Sequence, residues 1–287
     1  MLASAAGVLF DGFAYGMLLF LLSVGLSVTL GMMNFVNLAH CSFAMVGGYA
    51  TVTLANRFGW PFLATLPIAF IAAAVLSIFL ERTLYRRLYR ASDLDQCLLT
   101  IGMVFISVAA FAWFYTSEQQ SAPVPEYLRG SVQLLGQSFA AYRIFLIAVS
   151  LAITVVLVLL LERTRFGARV RAAVDNQRMA RGLGIDVERT FMITFALGGG
   201  LAGLGGALAI QMVGLDPSFA LAYLVYVLIV VAVGGLGSIW GSFAAAVVLG
   251  ISDMAGKYYF PWLGAFLIYL VMVALLMWRP LGLFGKR

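Results

Sequence analysis

Eleven of the 28 residues between positions 162 and 189 are charged, in a chain where only 10% of all residues are. Glu162, Arg163, Arg165, Arg169, Arg171, Asp175, Arg178, Arg181, Asp186, Glu188 and Arg189 all have to reach water. The stretches on either side, 142–161 apart from Arg143 and 190–215 without exception, carry no charge. At about 1.5 Å per residue, each is long enough to cross a hydrocarbon core of about 30 Å as a helix. A membrane protein that holds a basic loop on one side is the fold this pattern permits.

Composition narrows the class. Hydrophobic residues make up 63% of the 287, the mean hydropathy is +1.02, and a soluble domain would carry about a quarter charged residues. Lipid admits only helices or closed barrels, because every backbone polar group must be satisfied internally. The apolar stretches here are continuous rather than alternating, which excludes a barrel. Charge-free windows run over 12–56, 58–80, 98–117, 144–161, 190–215, 217–252 and 258–278. The first and the sixth are too long for one crossing and divide where glycine and asparagine interrupt them, near 31–34 and 234–237. The expectation is an all-α, polytopic transmembrane bundle of eight or nine helices, near 8–31, 36–55, 61–80, 98–115, 143–161, 190–213, 219–234, 239–255 and 262–279, some of them broken or re-entrant.

The loops at 81–97 and 162–189 and the tail at 279–287 hold fourteen of the eighteen basic residues, leaving only Arg57, Arg129, Arg143 and Lys257 elsewhere. The positive-inside rule puts these three segments in the cytoplasm. Nine full crossings would then set the N-terminus outside and the C-terminus inside. The net charge of +6 is thus a topology signal, and nucleic-acid binding is excluded on its placement. No basic n-region or small-residue cleavage motif opens the chain, so the first apolar segment is expected to be retained. Cys41 and Cys97 form no disulfide framework.

Catalysis finds few reagents here: one histidine, two distant cysteines and no metal-ligand spacing. His40 and Ser42 lie two apart and do not face each other on a helix, and no Gly-x-Ser-x-Gly elbow occurs. Ion-coupled transport would use ionisable residues at mid-membrane. Asp11, Asp216 and Asp253 are the candidates, and each is expected near a helix end where headgroups and water solvate it. Asp216-Pro217 reads as a helix-start turn.

Three stretches stand out. Within the loop, Gly167 and the Gly182/Gly184 pair bracket a short amphipathic helix, with Arg171, Asp175 and Arg178 on one face and Val170, Ala173, Val174 and Ala180 on another. It suits either a membrane surface or, given the small Ala172, Ala173 and Ala180, a groove in a protein. Asn34, Asn37, His40 and Ser42 place polar groups inside an apolar window, and Asn34, Asn37 and His40, spaced by three, fall on one strip. Interhelical glue and a broken helix or pathway lining are both open for it. Glycines cluster at 198–206, where helix packing is favoured, and at Gly234-Gly-Leu-Gly237-Ser-Ile-Trp-Gly241, which reads as a hinge or re-entrant tip.

Asn37-Leu-Ala-His40 followed by Gly47-Gly48-Tyr49, Arg171-Ala-Ala-Val-Asp-Asn-Gln-Arg-Met-Ala-Arg-Gly-Leu-Gly-Ile185, the 234–241 turn and the tail Arg279-Pro-Leu-Gly-Leu-Phe-Gly-Lys286 occur in that order. In them the chain resembles the permease subunits of high-affinity branched-chain amino-acid ABC importers and the similar urea-type permeases. The resemblance implies a multi-pass inner-membrane subunit, 1–287 forming a single transmembrane permease domain with a coupling loop at 162–189. It implies a second homologous permease subunit in a probable heterodimer, two cytoplasmic ATPase subunits that bind ATP and Mg, and an extracytoplasmic solute-binding protein. Arg169, Arg171, Ala172, Ala173, Asp175, Arg178, Ala180 and Gly184 would match the segment that docks on the ATPase. A translocation path would be lined by Asn34, Asn37, His40, Ser42, Gly47 and Gly48 and by Gly234, Gly235, Gly237, Ser238 and Gly241. No Gly-x-x-x-x-Gly-Lys-Ser/Thr loop occurs in the chain itself. Where the family usually has glycine after the histidine this chain has Cys41, which argues against unwinding at 41. Urea, short amides or another small solute is the alternative cargo. An ATP-independent channel or ion-coupled carrier is the alternative of another class.

Overall fold

A computed structural model describes residues 2–33, 35–89, 91–134 and 137–285. Its elements are α1 (Leu2–Met33), α2 (His40–Phe58), α3 (Phe62–Leu80), α4 (Arg86–Leu88), α5 (Asp93–Tyr115), α6 (Glu126–Arg129), the hairpin β1 (Ser131–Leu134) and β2 (Gln137–Ala140), and α7 (Ala141–Val158). There follow α8 (Arg165–Asp175), α9 (Gln177–Gly182), α10 (Val187–Val213), α11 (Phe219–Gly234), α12 (Ile239–Tyr259) and α13 (Gly264–Trp278). π-helical turns at Glu81–Tyr85 and Leu159–Arg163 lead out of α3 and α7.

The chain is a multi-pass, all-α membrane bundle, with one small hairpin outside it. Among the described residues six helices are long and apolar enough to cross: Ala5–Gly31, Phe62–Leu88, Asp93–Tyr115, Ala141–Arg163, Val187–Val213 and Ile239–Tyr259. The expected eight or nine is therefore corrected to six. The difference has local causes. α11 is cut to 16 residues by Pro217 before it and the glycine turn after it, short of the roughly 20 residues a crossing needs. The apolar part of α13, Phe266–Trp278, is shorter still. α2 has 19 residues but is too polar, with His40 at its start and Asn56 and Arg57 at its end.

α10 is the centre of the bundle, packed against α1, α2 and α3. Its glycines are what allow this. A methyl group on Gly206 would strike the backbone of Ala44 in α2, and one on Gly203 would strike Ala69 and Ala73 in α3. Without a hydrophobic drive between helices in lipid, such close backbone approach supplies the packing energy. The preference for packing at 198–206 is what the structure shows. α1 runs antiparallel to α12 along its length, from Gly12 beside Ile251 to Gly31 beside Gly237. α5, α7 and α13 are peripheral and expose large apolar side chains such as Phe105, Trp113, Val156, Phe266 and Met277, as lipid requires.

The two ends of the bundle differ. At one, Phe139 of the hairpin packs on Phe10 with the rings tilted (4.4 Å), Gln120 N–H donates to Leu215 O (2.7 Å) and Arg143 pairs with Asp11. At the other, which we term the loop face, α8 and α9 lie against the ends of α1 and α10, and Arg86 pairs with Glu188.

Candidate functional site

The chain between α1 and α2 leaves the helix at residues 35–39 and re-enters it at His40. Unwound backbone inside a membrane needs partners, and α5 provides them. Gln96 Oε1 accepts from Val36 N–H (2.9 Å), Thr100 Oγ1 accepts from Leu38 N–H (3.1 Å) and donates to Gln96 O (2.7 Å). Gln96 also donates from Nε2 to Leu88 O (3.2 Å), which ties the start of α5 to the end of α4. Phe35, beside these bonds, is buried in an aromatic cluster with Tyr85, Tyr89 and Phe195. Tyr89 donates to Glu81 Oε1 (2.9 Å). Burial first, and then the Glu81 carboxylate, push the Tyr89 hydroxyl well above its ordinary range.

The break scatters the polar strip. Asn34 lies outside the described residues. Asn37 is buried; its Oδ1 accepts from Ala39 N–H (3.1 Å), while its Nδ2 has no hydrogen-bond partner among the described residues. His40 is fully buried and donates from Nε2 to Leu22 O in α1 (3.1 Å). Its ring also fills the space beside Gly25, so it packs in the core between α1 and α2. Gly47 and Gly48 face Gly203, Gly206 and Leu215; they too are packing positions. Ser42 points the other way, toward α5. The expectation that Asn37 and His40 share one face required a continuous helix, and the unwound residues remove that condition.

Ser42 opens a polar seam between α2 and α5. Its hydroxyl meets Ser107 Oγ at 2.7 Å; Ser107 spends its own proton on Val104 O (2.7 Å), so Ser42 is the donor. Further along, Tyr49 stacks on Phe111 (4.4 Å). Thr53 donates to Tyr49 O (2.7 Å) and so accepts from the Tyr115 hydroxyl. The hydroxyls of Tyr49 and Thr51 are buried without partners among the described residues. Gln96, Thr100 and Ser107 were not singled out from the sequence. Their spacing, i, i+4 and i+11, puts all three on one face of an otherwise apolar helix, and that was the available signal.

The glycine turn sits elsewhere. Gly235 (φ 95°) and Gly237 (φ 76°) take the left-handed backbone region, where a Cβ is strained. Ser238 caps α12 by accepting from Gly241 N–H (3.0 Å). Gly31 presses on Gly237, and the tail crosses the turn, Leu283 N–H donating to Val233 O (2.7 Å) and Phe284 N–H to Gly234 O (3.2 Å). Among the described residues the turn shares no hydrogen bond with the 35–39 break. Instead the turn and Arg171 line one cavity of about 400 Å³.

In the loop, the expected single helix is two. Asn176 leaves helical geometry and caps α9, its Oδ1 accepting from Met179 N–H (3.0 Å). That takes Arg178 out of register with Arg171 and Asp175. Ala173 and Ala180 are buried against Val187 and Phe191 of α10, and Ala172 is half-buried. The small face docks into a groove of this chain itself, which corrects its reading as a face for a partner. Arg171 donates to Leu161 O. Arg169, Asp175, Arg178 and Gly184 are exposed.

Of the three aspartates, Asp11 is ion-paired and Asp216 Oδ1 accepts from Ser218 N–H (2.7 Å), two residues on, as a helix-start turn does. Asp253 departs from expectation. α12 continues to Tyr259, so Asp253 is fully buried within it and paired with Lys257 (2.5 Å). No group of three or more His, Cys, Asp or Glu able to hold a metal ion occurs among the described residues.

Residues 8–276 match the family model described as branched-chain amino acid transport system / permease component. The chain is similar to the probable branched-chain amino acid transport permease protein LivH of Methanocaldococcus jannaschii, 28% identical over 94% of this chain and 90% of that one. It is also similar to the high-affinity branched-chain amino acid transport system permease proteins LivH and LivM of Escherichia coli K12. LivH is 22% identical over 97% of this chain and 94% of its own length; LivM is 25% identical over 93% and 68%. No solved structure matches. With its six membrane-length helices and its exposed basic loop, the chain belongs to the permease-component family of branched-chain amino acid transport systems.

Proposed function

We propose that this chain is one permease half of an ATP-driven importer of branched-chain and other hydrophobic amino acids in the inner membrane. The observation that carries the reading is the family match over residues 8–276. The whole chain, 1–287, acts as one transmembrane permease domain, with the loop face in the cytoplasm. Two ATPase subunits hold ATP and Mg, and an extracytoplasmic binding protein delivers the solute. Similarity to both LivH and LivM, two permease proteins of the E. coli high-affinity system, supports pairing with a like but non-identical second permease.

The exposed edge of α8 and α9, with Asp175 and Arg178 beside the exposed apolar Val174 and Met179, is the surface offered to the ATPase. Arg169 and Gly184 flank it, while Ala172, Ala173 and Ala180 anchor it to α10. Solute passes along the α2–α5 seam, past Asn37, Ser42, Thr100 and Ser107, with the Asn37 amide and the Tyr49 and Thr51 hydroxyls, unpartnered among the described residues, beside it. Asn34 belongs to the same entry. His40, Gly47 and Gly48 hold α2 in place behind it. The junction of Gly234, Gly235, Gly237, Ser238 and Gly241 meets Arg171 and passes movement of α8 to α11 and α12.

The test is reconstitution with the partner subunits in proteoliposomes. D175A/R178A should lower uptake by about tenfold or more while ATP hydrolysis continues. Uptake by this chain without ATPases would overturn the importer reading in favour of a channel or carrier. Binding of urea or short amides rather than leucine by the soluble receptor would overturn the cargo.

A further inference from the structure

On the loop face, α8 and the start of α10 enclose a cavity of about 440 Å³. Arg169 of α8 and Arg189 of α10 both line it, with Phe166, Leu183, Asp186 and Ile193. Three other arginines of this chain are engaged: Arg86 with Glu188, Arg143 with Asp11, and Arg171 with the Leu161 carbonyl. Among the described residues no carboxylate lies within salt-bridge distance of Arg169 or Arg189. The carboxylate of Asp186 is turned to its own helix, accepting from Arg189 N–H (2.9 Å). Two exposed guanidinium groups thus share one concavity with a single carboxylate, Asp186, that is ion-paired with neither.

The depth of that concavity is set by α10. Arg189 and Ile193 lie four residues apart on one face of α10, and Ile193 is 41% exposed. This is the outward stripe of a membrane-length helix, so Arg189 stands where its apolar surface ends. Phe166 and Leu183 continue the apolar rim on the loop side. Charge at the polar boundary over an apolar wall fits a molecule with an anionic head and a hydrocarbon tail.

We propose that this cavity binds the phosphate of an anionic phospholipid of the loop-face leaflet, Arg169 and Arg189 holding the phosphate and Ile193 and Phe166 bordering the acyl chains. Guanidinium groups suit the task because they bond phosphate oxygens in pairs and are weakly hydrated. The lipid would bridge the exposed loop to the central helix, and its binding stands whatever solute is carried.

Native mass spectrometry of the detergent-purified complex, permease with its ATPases, doped with phosphatidylglycerol or phosphatidylcholine, tests this. Retained phosphatidylglycerol should exceed phosphatidylcholine, and it should fall roughly fivefold for each of R169Q and R189Q. R165Q, which removes the same charge from the same helix away from the cavity, should leave retention unchanged, and R169K should recover part of it. R169Q alone decides the matter if R189Q fails to fold, because Arg169 is exposed. Equal retention of the two lipids, or an equal loss in R165Q, would overturn the site. Displacement of the lipid by millimolar inorganic phosphate, with phosphate bound in its stead, would identify a soluble-anion site and reject the lipid.

Discussion

α10 and α5 both have the length to cross a membrane, yet the bundle holds them by opposite means. α10 is gripped on three sides, backbone against backbone, through glycines that face α1, α2 and α3. α5 meets α2 and the unwound residues before it through a thin row of side-chain hydrogen bonds, Gln96, Thr100, Ser107 and Tyr115, and turns most of its surface outward. Close backbone packing has few adjustable parts. Hydrogen bonds between hydroxyls can be exchanged for water or for a polar solute with little net change. The contrast assigns α10 to the frame and α5 to the part that can shift.

Four experiments probe that contrast. The largest effect is expected from Gly206→Leu, whose side chain would meet the backbone of Ala44. Destabilisation of about 3 kcal/mol or more should appear as loss of the monodisperse permease in detergent; a stable variant would mean that α10 is not held rigidly. His40→Ala comes next. Removing a fully buried ring should lower stability by about 2–4 kcal/mol, seen in thermal denaturation, with the KM for uptake unchanged in the protein that survives. A changed KM at unchanged stability would move His40 from the frame to the path.

Gln96→Leu should cost about 1–3 kcal/mol by orphaning the Val36 N–H, and should depress uptake beyond what stability explains. If uptake and stability fall in step, α5 is frame after all. The smallest effect is the coupling between Ser42→Ala and Ser107→Ala. A double-mutant cycle on denaturation should give about 0.6 kcal/mol, the usual scale for interhelical hydrogen bonds in membranes. A much larger value would describe a fixed joint.

These same residues show what could be read in advance. Charge-free windows located the long helices, and the glycines at 198–206 announced a packing helix, because both signals depend on composition over many residues. Asn and Gly announced an interruption near 31–34, but α1 stays helical to Met33 and the break falls at 35–39. What followed from assuming a continuous helix did not hold: once residues 35–39 unwind, the three-residue spacing of Asn37 and His40 no longer describes a face. The alanines of α8 and α9 were legible as a docking face, but sequence carries no sign of whose groove receives them. Asp253 was placed by the edge of an apolar window, while the helix runs on past Lys257 to Tyr259. Gln96 and Thr100 were passed over because they stand next to charged residues at the start of a span, where polar residues are ordinary.

The tail has a bearing on how the protein is made. Leu283 and Phe284 bond to the carbonyls of Val233 and Gly234, about fifty residues earlier in the chain. During synthesis this clasp closes only after α11, α12 and α13 have all left the ribosome and come to rest side by side. It therefore records the order of insertion. A chain in which α13 is misplaced cannot fasten it, and leaves the glycine turn bare to whatever surveys membrane proteins for unfinished ends.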